Sequence, residues 1–89
     1  MRTPVDTRGF EKDLKLMIKC GYDPEKIKSL IRKLIDDIPL ERKHRDHLLT
    51  GNFKDRRECH IGPDWLLIYR IAENTIIFER TGTHADLFV

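Results

Sequence analysis

The sequence has few cysteines and no long apolar run, and each absence argues against a class of protein. Cys20 and Cys59 are the only cysteines, and they lack the spacing of a disulfide-rich fold. We therefore expect reduced, packed thiols in a cytosolic chain. No run approaches the roughly 18 apolar residues of a transmembrane helix. The N-terminal residues MRTPVDTRGF lack the apolar centre of a signal peptide, so we expect neither a membrane span nor export.

Motifs that would identify a metal or nucleotide site at once are also missing. The chain contains no CxxC pair and no glycine-rich phosphate loop, and no serine is placed as a nucleophile beside a histidine. The 17 basic residues exceed the 15 acidic ones by only two. Net charge alone therefore does not require a nucleic-acid partner, and the distribution of the charges matters more.

The length and composition suit one domain. A chain of 89 residues buries only about 60 to 65% of its unfolded surface and cannot form two cores. Apolar residues make up 39% and charged residues 36%, which permits folding but requires a heavily charged surface. The sequence contains no internal repeat and no low-complexity segment. We expect a single domain over residues 1–89 that carries one small site.

Two amphipathic helices are predicted in the first half. Over residues 7–20 the apolar side chains recur on one helical face, and Gly21 follows where a left-handed cap would fit. Residues 23–25, Asp-Pro-Glu, supply a capping side chain, a proline suited to the first helical position and a charge that complements the helix dipole. The second apolar stripe runs to Ile38, before Pro39. The short link predicts an antiparallel helix hairpin.

Three strands are predicted in the last third, at residues 56–61, 65–72 and 75–81. Gly-Pro-Asp and Glu-Asn separate them and are typical of tight turns, with Asn74 suited to left-handed backbone angles. The middle strand, WLLIYRIA, is apolar on both faces and should be central.

The remaining segments are less regular. Pro4 has no amide hydrogen, so a strand near the N-terminus would lie at a sheet edge. Residues 40–55 lose periodicity and are predicted to form a polar connection. The fold class is therefore α+β, with a helix hairpin, with or without a preceding edge strand, packed on a small antiparallel sheet.

His60 is the first candidate for chemistry. Strand alternation places Glu58 and His60 on one face, and Cys59 and Ile61 on the other. Because Cys59 and Ile61 are natural core residues, His60 should face away from the helices. Asp64 follows across the turn, close enough to hold an imidazole. Taken alone, a solvated histidine beside a turn aspartate is the simpler interpretation.

Arg80 and His84 strengthen the case for a site. In a straight strand they would lie about 13 Å apart, at roughly 3.3 Å per residue, and Gly82 permits a bend between them. A guanidinium can bind two phosphate oxygens while an imidazole transfers a proton near neutral pH. The alternative is that Arg80 pairs with a nearby glutamate and the chain end is a solvated tail. Leu87 and Phe88 are too apolar for that, so the end should dock.

Other polar residues are weaker candidates. His47 would add a third imidazole, whereas His44 looks like a surface histidine in a charged run. Lys54 and Arg57 could bind neighbouring phosphates, although isolated basic residues are usually solvated. Three histidines and an aspartate also allow zinc, but without a specific ligand motif zinc is a minority interpretation.

The string HLLTGNFKDRRECHIGPDWLLIYRI, followed by FERTGTHADLF, resembles the YafQ-type branch of the RelE superfamily of bacterial type II toxin–antitoxin toxins. The resemblance is dense over residues 47–88 and compatible with the helix hairpin before them. It implies a ribosome-dependent mRNA endonuclease with an N-terminal strand, two helices and a small antiparallel sheet. Pro4 and the low net charge depart from the family pattern. The implied functional positions are His47, His60, Asp64, Trp65, Arg80, His84 and Phe88.

The implied chemistry is attack of an RNA 2′-hydroxyl on the adjacent phosphate. We expect His60 or Asp64 to act as base, His84 as acid and Arg80 as the phosphate ligand. His47 would assist. Trp65 or Phe88 could stack on a splayed base, although Trp65 at a strand start also suits the core. Neither a cofactor nor a metal is implied.

The resemblance also implies partners and a compartment. We expect a cognate antitoxin with a ribbon-helix-helix DNA-binding half and an acidic tail over the basic surface of residues 42–57. Operator DNA would be bound only through that antitoxin, and the compartment would be the bacterial cytoplasm. The alternatives are a non-catalytic domain that binds RNA or antitoxin, and a zinc-dependent hydrolase.

Overall fold

The computed structural model describes residues 1–49 and 55–88. Two helices follow a short first strand, and the remaining strands and a short C-terminal helix follow a 3₁₀ turn. The elements are β1 (Thr3–Asp6), α1 (Arg8–Lys19), α2 (Pro24–Ile35), the 3₁₀ turn (Arg42–His44), β2 (His47–Leu48), β3 (Arg57–Gly62), β4 (Trp65–Ala72), β5 (Thr75–Gly82) and α3 (His84–Leu87).

The helix starts follow the capping signals in the sequence. The Thr7 hydroxyl accepts a hydrogen bond from the Phe10 amide, and the Asp23 carboxylate accepts one from the Glu25 amide, both at 3.0 Å. These bonds satisfy amides that have no partner inside the helix. The predicted second helix, by contrast, was too long.

The second helix ends at Ile35 because the chain turns away at the next residues. Asp37 adopts a positive φ of 57°, and the Ile38 amide donates back to the Lys33 carbonyl at 2.9 Å. This arrangement is typical of a helix C-terminus. Ile38 therefore lies outside the helix and is 49% exposed, so its predicted place on the apolar stripe was wrong.

The five strands form one mixed sheet in the order β1-β5-β4-β3-β2. The pairs β2–β3, β3–β4 and β4–β5 are antiparallel, and the last two of these pairings were predicted. The edge strand β1 runs parallel to β5, with Thr3 opposite Thr75, which makes the sheet mixed. Pro4 is tolerated there because the outer side of an edge strand needs no ladder hydrogen bond. The α+β fold class is confirmed.

The central strand β4 packs on both faces, as its sequence predicted. Trp65, Leu67 and Tyr69 face the core that the helices cover, together with Phe10, Met17, Ile27, Leu30 and Leu34. The alternate residues Leu66 and Ile68 are fully buried on the other face, under Leu87. Hydrophobic burial on both sides fixes the register of β4, since a slip of one residue would exchange the two faces.

The polar connection contains more structure than its sequence suggested. The 3₁₀ turn at Arg42–His44 and the two-residue strand β2 both lie within residues 40–55. Arg45, with a φ of 45°, turns the chain between them. Elements this short leave no periodic pattern to detect. No helix in the described part of the chain is long and apolar enough to cross a membrane.

Two local features of β5 differ from expectation. The turn that precedes it places Glu73, rather than Asn74, in the left-handed region, with a φ of 56°. Further along, Ile68 pairs with Arg80 while Tyr69 pairs with Phe78, so Glu79 is an extra residue in the strand. Such a bulge changes which face the following side chains occupy. It places Arg80 opposite Ile68 in the ladder, while the Arg80 side chain lies against Gly9 and Asp13 of α1.

Candidate active site

The face of the sheet away from the helices carries the candidate site. Its floor is apolar, formed by Leu66 and Ile68 with Leu87 against them. The register places His60 beside Leu66, and Glu58 beside Ile68. Polar groups around a dry floor interact more strongly than they would in water. The strands therefore present titratable side chains above an apolar surface.

Glu58 is the buried acid of this face. Its side chain is 7% exposed, and its carboxylate lies 3.3 Å from His60 Nε2 and 3.7 Å from His47 Nε2. The Nδ1 of His47 donates to the Arg45 carbonyl at 2.6 Å, which directs Nε2 toward the acid. Since a carboxylate only accepts, contact through His60 Nε2–H leaves Nδ1 of His60 to take up a proton.

Asp64 and His84 form a second acid–imidazole pair. One Asp64 oxygen accepts both the His84 amide, at 3.0 Å, and His84 Nδ1–H, at 2.8 Å. His84 is the first residue of α3, which starts with a capping box between Thr83 and Asp86. The amide hydrogen bond and the imidazole hydrogen bond hold the pKa of the Asp64 carboxyl below its ordinary value. Asp64 is therefore ionised at neutral pH, and it orients His84 with Nε2 left over.

The two imidazoles that these acids hold face each other across a gap. The ring centroids of His60 and His84 lie 5.8 Å apart. Phe88 lies on the far side of His84, with ring centroids 6.3 Å apart, and is 41% exposed. One nitrogen of each ring lies within 4.8 Å of one nitrogen of the other. A phosphate beside the pair can therefore contact both imidazoles, as paired general acid–base catalysis requires.

Arg80 approaches this face from β5, and its guanidinium is bound from α1. Asp13 accepts from Arg80 Nε at 2.5 Å and from Nη2 at 3.2 Å, and the same carboxylate accepts from the Thr81 amide. The hydrogen bond to Asp13 raises the pKa of Arg80, so the guanidinium stays charged. The sequence suggested a glutamate as the alternative partner, but the structure uses Asp13.

Comparison with known proteins supports what the residue pattern suggested. Residues 2–89 match the family model described as the bacterial toxin of type II toxin–antitoxin systems, YafQ. The mRNA interferase toxin YafQ of Escherichia coli strain K12 is 45% identical over 80 residues, which cover 89% of this chain and 87% of that protein. The chain belongs to the YafQ toxin family.

Solved structures of bacterial toxins share the fold over all or nearly all of this chain. YafQ in the DinJ–YafQ complex of E. coli superposes with a TM-score of 0.93 and 41% identity, with all of both chains covered. A metal-bound toxin from Helicobacter pylori gives a TM-score of 0.92 and 42% identity, covering 99% of this chain and all of that one. The resemblance to the YafQ branch is therefore confirmed.

Not every predicted site residue of this YafQ family member lies at the gap. His60 and His84 border it, Asp64 and Phe88 lie beside His84, and His47 contacts Glu58. Arg80 is held by Asp13 of α1. Trp65, in contrast, is 2% exposed and lies in the helix-side core, where its Nε1–H donates to the Thr81 hydroxyl at 2.9 Å. A buried ring offers no face to a base, so the structure places Trp65 in the core instead of the site.

The two basic candidates outside the histidine cluster have different outcomes. Arg57 Nε donates to Asp46 at 3.2 Å, and the Tyr69 hydroxyl donates to the same oxygen at 2.6 Å. Arg57 is thereby tied to a neighbouring polar cluster on β3 and β4. Lys54 lies outside the residues that the structure describes.

Three residues of the site were missed or undervalued from the sequence. His44 donates through Nδ1 to the His60 carbonyl at 2.7 Å, so it is not a free surface histidine. Glu58 was placed on the correct face, but its contact with two imidazoles was not foreseen. Asp13 is separated from Arg80 by 67 residues, and no local pattern links them. Only the alternation of β3 carried a usable signal, namely a glutamate two residues before a histidine.

The same cluster has the donors of a metal site. One ligand atom each from Glu58, His60 and His84 lies within 4.8 Å of the others. A carboxylate and two imidazoles suit zinc or copper ions. A metal bound here would occupy nitrogens that acid–base catalysis needs.

The Asp64–His84 pair gives a pH-dependent prediction. We expect an NMR titration to find the Asp64 carboxyl midpoint below 3.8, its ordinary value. Because the folded pKa is the lower one, the pair's contribution to stability is present above the unfolded value and is lost as pH falls through the folded value. In His84→Ala the backbone amide of residue 84 still donates to Asp64, so the Asp64 pKa should rise only part of the way back to 3.8. A wild-type midpoint at or above 3.8 would contradict this description.

Proposed function

We propose that this chain is an endoribonuclease that cleaves mRNA by attack of a 2′-hydroxyl on the adjacent phosphate. The observation that carries the proposal is the pair of imidazoles, His60 and His84, 5.8 Å apart and each held by a carboxylate. Family membership supports the same activity, since curated relatives are mRNA interferase toxins. The products are a 2′,3′-cyclic phosphate and a free 5′-hydroxyl.

His60 acts as the base in this proposal. Glu58 holds Nε2, which favours a proton there and leaves Nδ1 for the 2′-hydroxyl proton. Asp64 is less suited to this role because its two hydrogen bonds from His84 lower its pKa and weaken it as a base. Between the two bases suggested by the sequence, the geometry favours His60. His47, which contacts the other side of Glu58, helps to position that acid.

His84 acts as the acid. Asp64 holds Nδ1–H, so the proton for the leaving 5′-oxygen comes from Nε2 of the imidazolium. Phe88, beside His84 and partly exposed, offers an aromatic face for a base next to the cleaved bond.

Arg80 stabilises the phosphate. A guanidinium has five N–H donors, and Asp13 uses Nε and one hydrogen of Nη2. Three donors remain for the oxygens of a pentacoordinate phosphate, where developing charge is stabilised most by fixed donors. In this arrangement Asp13 holds the guanidinium in place while its outer edge binds substrate.

Ribosome dependence is the finer part of the proposal. With a formal charge of only +2, the chain has little electrostatic attraction for free RNA. A ribosome that presents the message in a fixed conformation would supply the missing affinity. We expect cleavage of a message during in vitro translation to be at least about 100-fold faster than cleavage of the same naked RNA, within the range that positioning contributes.

The product ends decide the chemistry in that experiment. The upstream fragment should carry a cyclic phosphate and resist 3′-end ligation until the phosphate is removed. Fragments with a 5′-phosphate and a 3′-hydroxyl would show attack by water and contradict the proposed mechanism. Equal cleavage of naked and translated message would remove the ribosome from the proposal while leaving the nuclease.

A zinc-dependent hydrolase is the second candidate, favoured by the Glu58, His60 and His84 ligand set and by the metal-bound toxin of H. pylori. Under the acid–base mechanism, full activity should survive a chelator that is selective for zinc and copper and leaves the Mg²⁺ of the ribosomes in place. Added zinc or copper should inhibit by occupying the imidazoles. Loss of cleavage on chelation, with recovery when zinc is added, would instead establish a zinc-dependent mechanism.

The antitoxin is the expected protein partner, as in the DinJ–YafQ complex of E. coli. We assign it a ribbon-helix-helix half that binds operator DNA and an acidic tail that covers the basic surface of residues 42–57, in the bacterial cytoplasm. The test is co-expression with the small protein encoded beside this gene. The assignment would be contradicted if the protein encoded beside this gene failed to restore growth, or if it bound the toxin but had no DNA-binding half.

A further inference from the structure

A groove of about 950 Å³ opens directly beside the two catalytic imidazoles. One wall is the first half of α2, and the other is the 3₁₀ turn with the residues that flank it. His60 and His84 both line the groove, at the end where β3 turns into β4. The volume lies toward the upper end of the range for ligand sites, so it can hold more than the reacting phosphate.

The far wall of the groove is fixed to the catalytic strand. His44 Nδ1–H donates to the His60 carbonyl at 2.7 Å, which ties the 3₁₀ turn to the backbone of the proposed base. Glu41 links the walls, since its carboxylate contacts Lys33 on α2 at 3.9 Å and Lys43 at 3.5 Å. The groove therefore continues directly from the active site, and these contacts hold its two walls in place.

The acidic side chains that line the groove have partners, whereas two of its basic side chains have none among the described residues. Each acid is engaged: Asp23 caps α2, Glu25 pairs with Lys28 at 3.7 Å, and Glu41 pairs with its two lysines. Lys26 and Arg45 also line the groove, from opposite walls. Among residues 1–49 and 55–88, the side chain of neither residue forms an ion pair or a hydrogen bond. Two cations without partners beside a phosphate-cleaving centre suit further phosphates.

We infer that this groove binds the mRNA backbone next to the cleaved bond, with Lys26 and Arg45 as phosphate ligands. The inference rests on the proposed nuclease function and adds a substrate subsite to it. These cations act on binding and not on the bond-breaking step. Their loss should therefore raise the half-saturating concentration and leave the saturated single-turnover rate unchanged.

The test measures cleavage on programmed ribosomes with Lys26→Gln, Arg45→Gln and the double variant. Glutamine removes the charge and has a helix propensity close to that of lysine, which suits Lys26 on α2. A melting curve checks the folding of each variant, including the change at Arg45 outside the helices. Lys12→Gln, on the exposed side of α1 and away from the groove, is the matched control. Each groove variant should raise the half-saturating concentration several-fold and reduce the salt slope by about 0.7, the single-strand value per phosphate contact.

A modified message identifies which phosphate is bound. Uncharged methylphosphonate linkages are placed one at a time beside the cleavage site. In wild type, one of them should weaken binding several-fold, and the groove variants should lose that sensitivity. Unchanged half-saturation, or weaker binding without coupling to any linkage in the message, would overturn the inference. His84→Ala tests the nuclease separately: if it cleaves like wild type, the proposed function has failed and not merely the subsite.

Discussion

His84→Ala lowers the maximal rate of mRNA cleavage by about 10²- to 10⁴-fold, the usual contribution of a positioned acid or base. The reason is that Nε2 of His84 is the only atom of the Asp64–His84 pair left to protonate the leaving oxygen. The side chain is 54% exposed, so its removal should hardly alter the melting temperature. The measurement is single-turnover cleavage at saturating enzyme, with thermal unfolding in parallel.

The pH profile separates a chemical role from a structural one. Wild type should give a bell-shaped dependence of kcat/KM on pH, since one imidazole must be neutral and the other charged. His84→Ala should lose the limb that reports the acid, and His60→Ala the limb that reports the base. The double variant should cost little more than either single one, because acid and base act in the same step. Lys15→Ala, an exposed change on α1, is the control. A His84→Ala enzyme with wild-type rate would refute the assignment.

The parts of the site that the sequence predicted are those set by local geometry. Alternation in β3 places Glu58 and His60 opposite the buried Cys59, and the structure follows that pattern. Asp64 reaches His84 because a tight turn and a short helix meet at the same end of the sheet. Strong local signals, such as Asp-Pro-Glu at the start of α2, were equally dependable.

The parts that were not predictable depend on long-range contacts or on an irregular strand. Asp13 meets Arg80 only because α1 packs beside β5, and no spacing in the sequence reports that contact. The bulge at Glu79 pairs Arg80 with Ile68, whereas an unbroken strand would put it on the same face as Phe78. Gly82 remains within β5, and the chain turns at Thr83 instead. His44 looks like a surface histidine because it lies in a charged run, and its actual partner, the His60 backbone carbonyl, has no sequence signature.

These irregular features share a function in the proposed mechanism. The bulge aims Arg80, Asp13 holds it, and His44 fixes the groove wall to His60. A small sheet can present side chains only at fixed intervals along each strand. In the proposed mechanism, departures from regular geometry supply the adjustments that bring a guanidinium and two imidazoles toward one phosphate. Such adjustments need support from outside the strand, which explains why α1 and the 3₁₀ turn take part.

Trp65→Phe destabilises the protein by about 1 to 3 kcal/mol, and Trp65→Ala by about 3 to 5 kcal/mol. The indole is 2% exposed and contacts Tyr22 edge-on, with ring centroids 5.1 Å apart. Its Nε1–H also donates to Thr81, which in turn donates to the Leu66 carbonyl at 2.7 Å. Phenylalanine fills most of the space but leaves the Thr81 oxygen without its donor. Urea unfolding followed by far-UV circular dichroism measures the loss, since the only tryptophan is removed.

Activity measurements then decide whether Trp65 supports the core or binds a base. If its role is in the core, Trp65→Phe should cleave at nearly the wild-type rate at temperatures where it remains folded. Phe88→Ala should show the opposite pattern, with little change in stability because its ring is 41% exposed and a several-fold loss of cleavage if it stacks on a base. A Trp65→Phe protein with unchanged stability and weak cleavage would return the indole to the binding surface. The buried hydrogen bond to Thr81, which also ties β4 to β5 next to Arg80, argues for the core role.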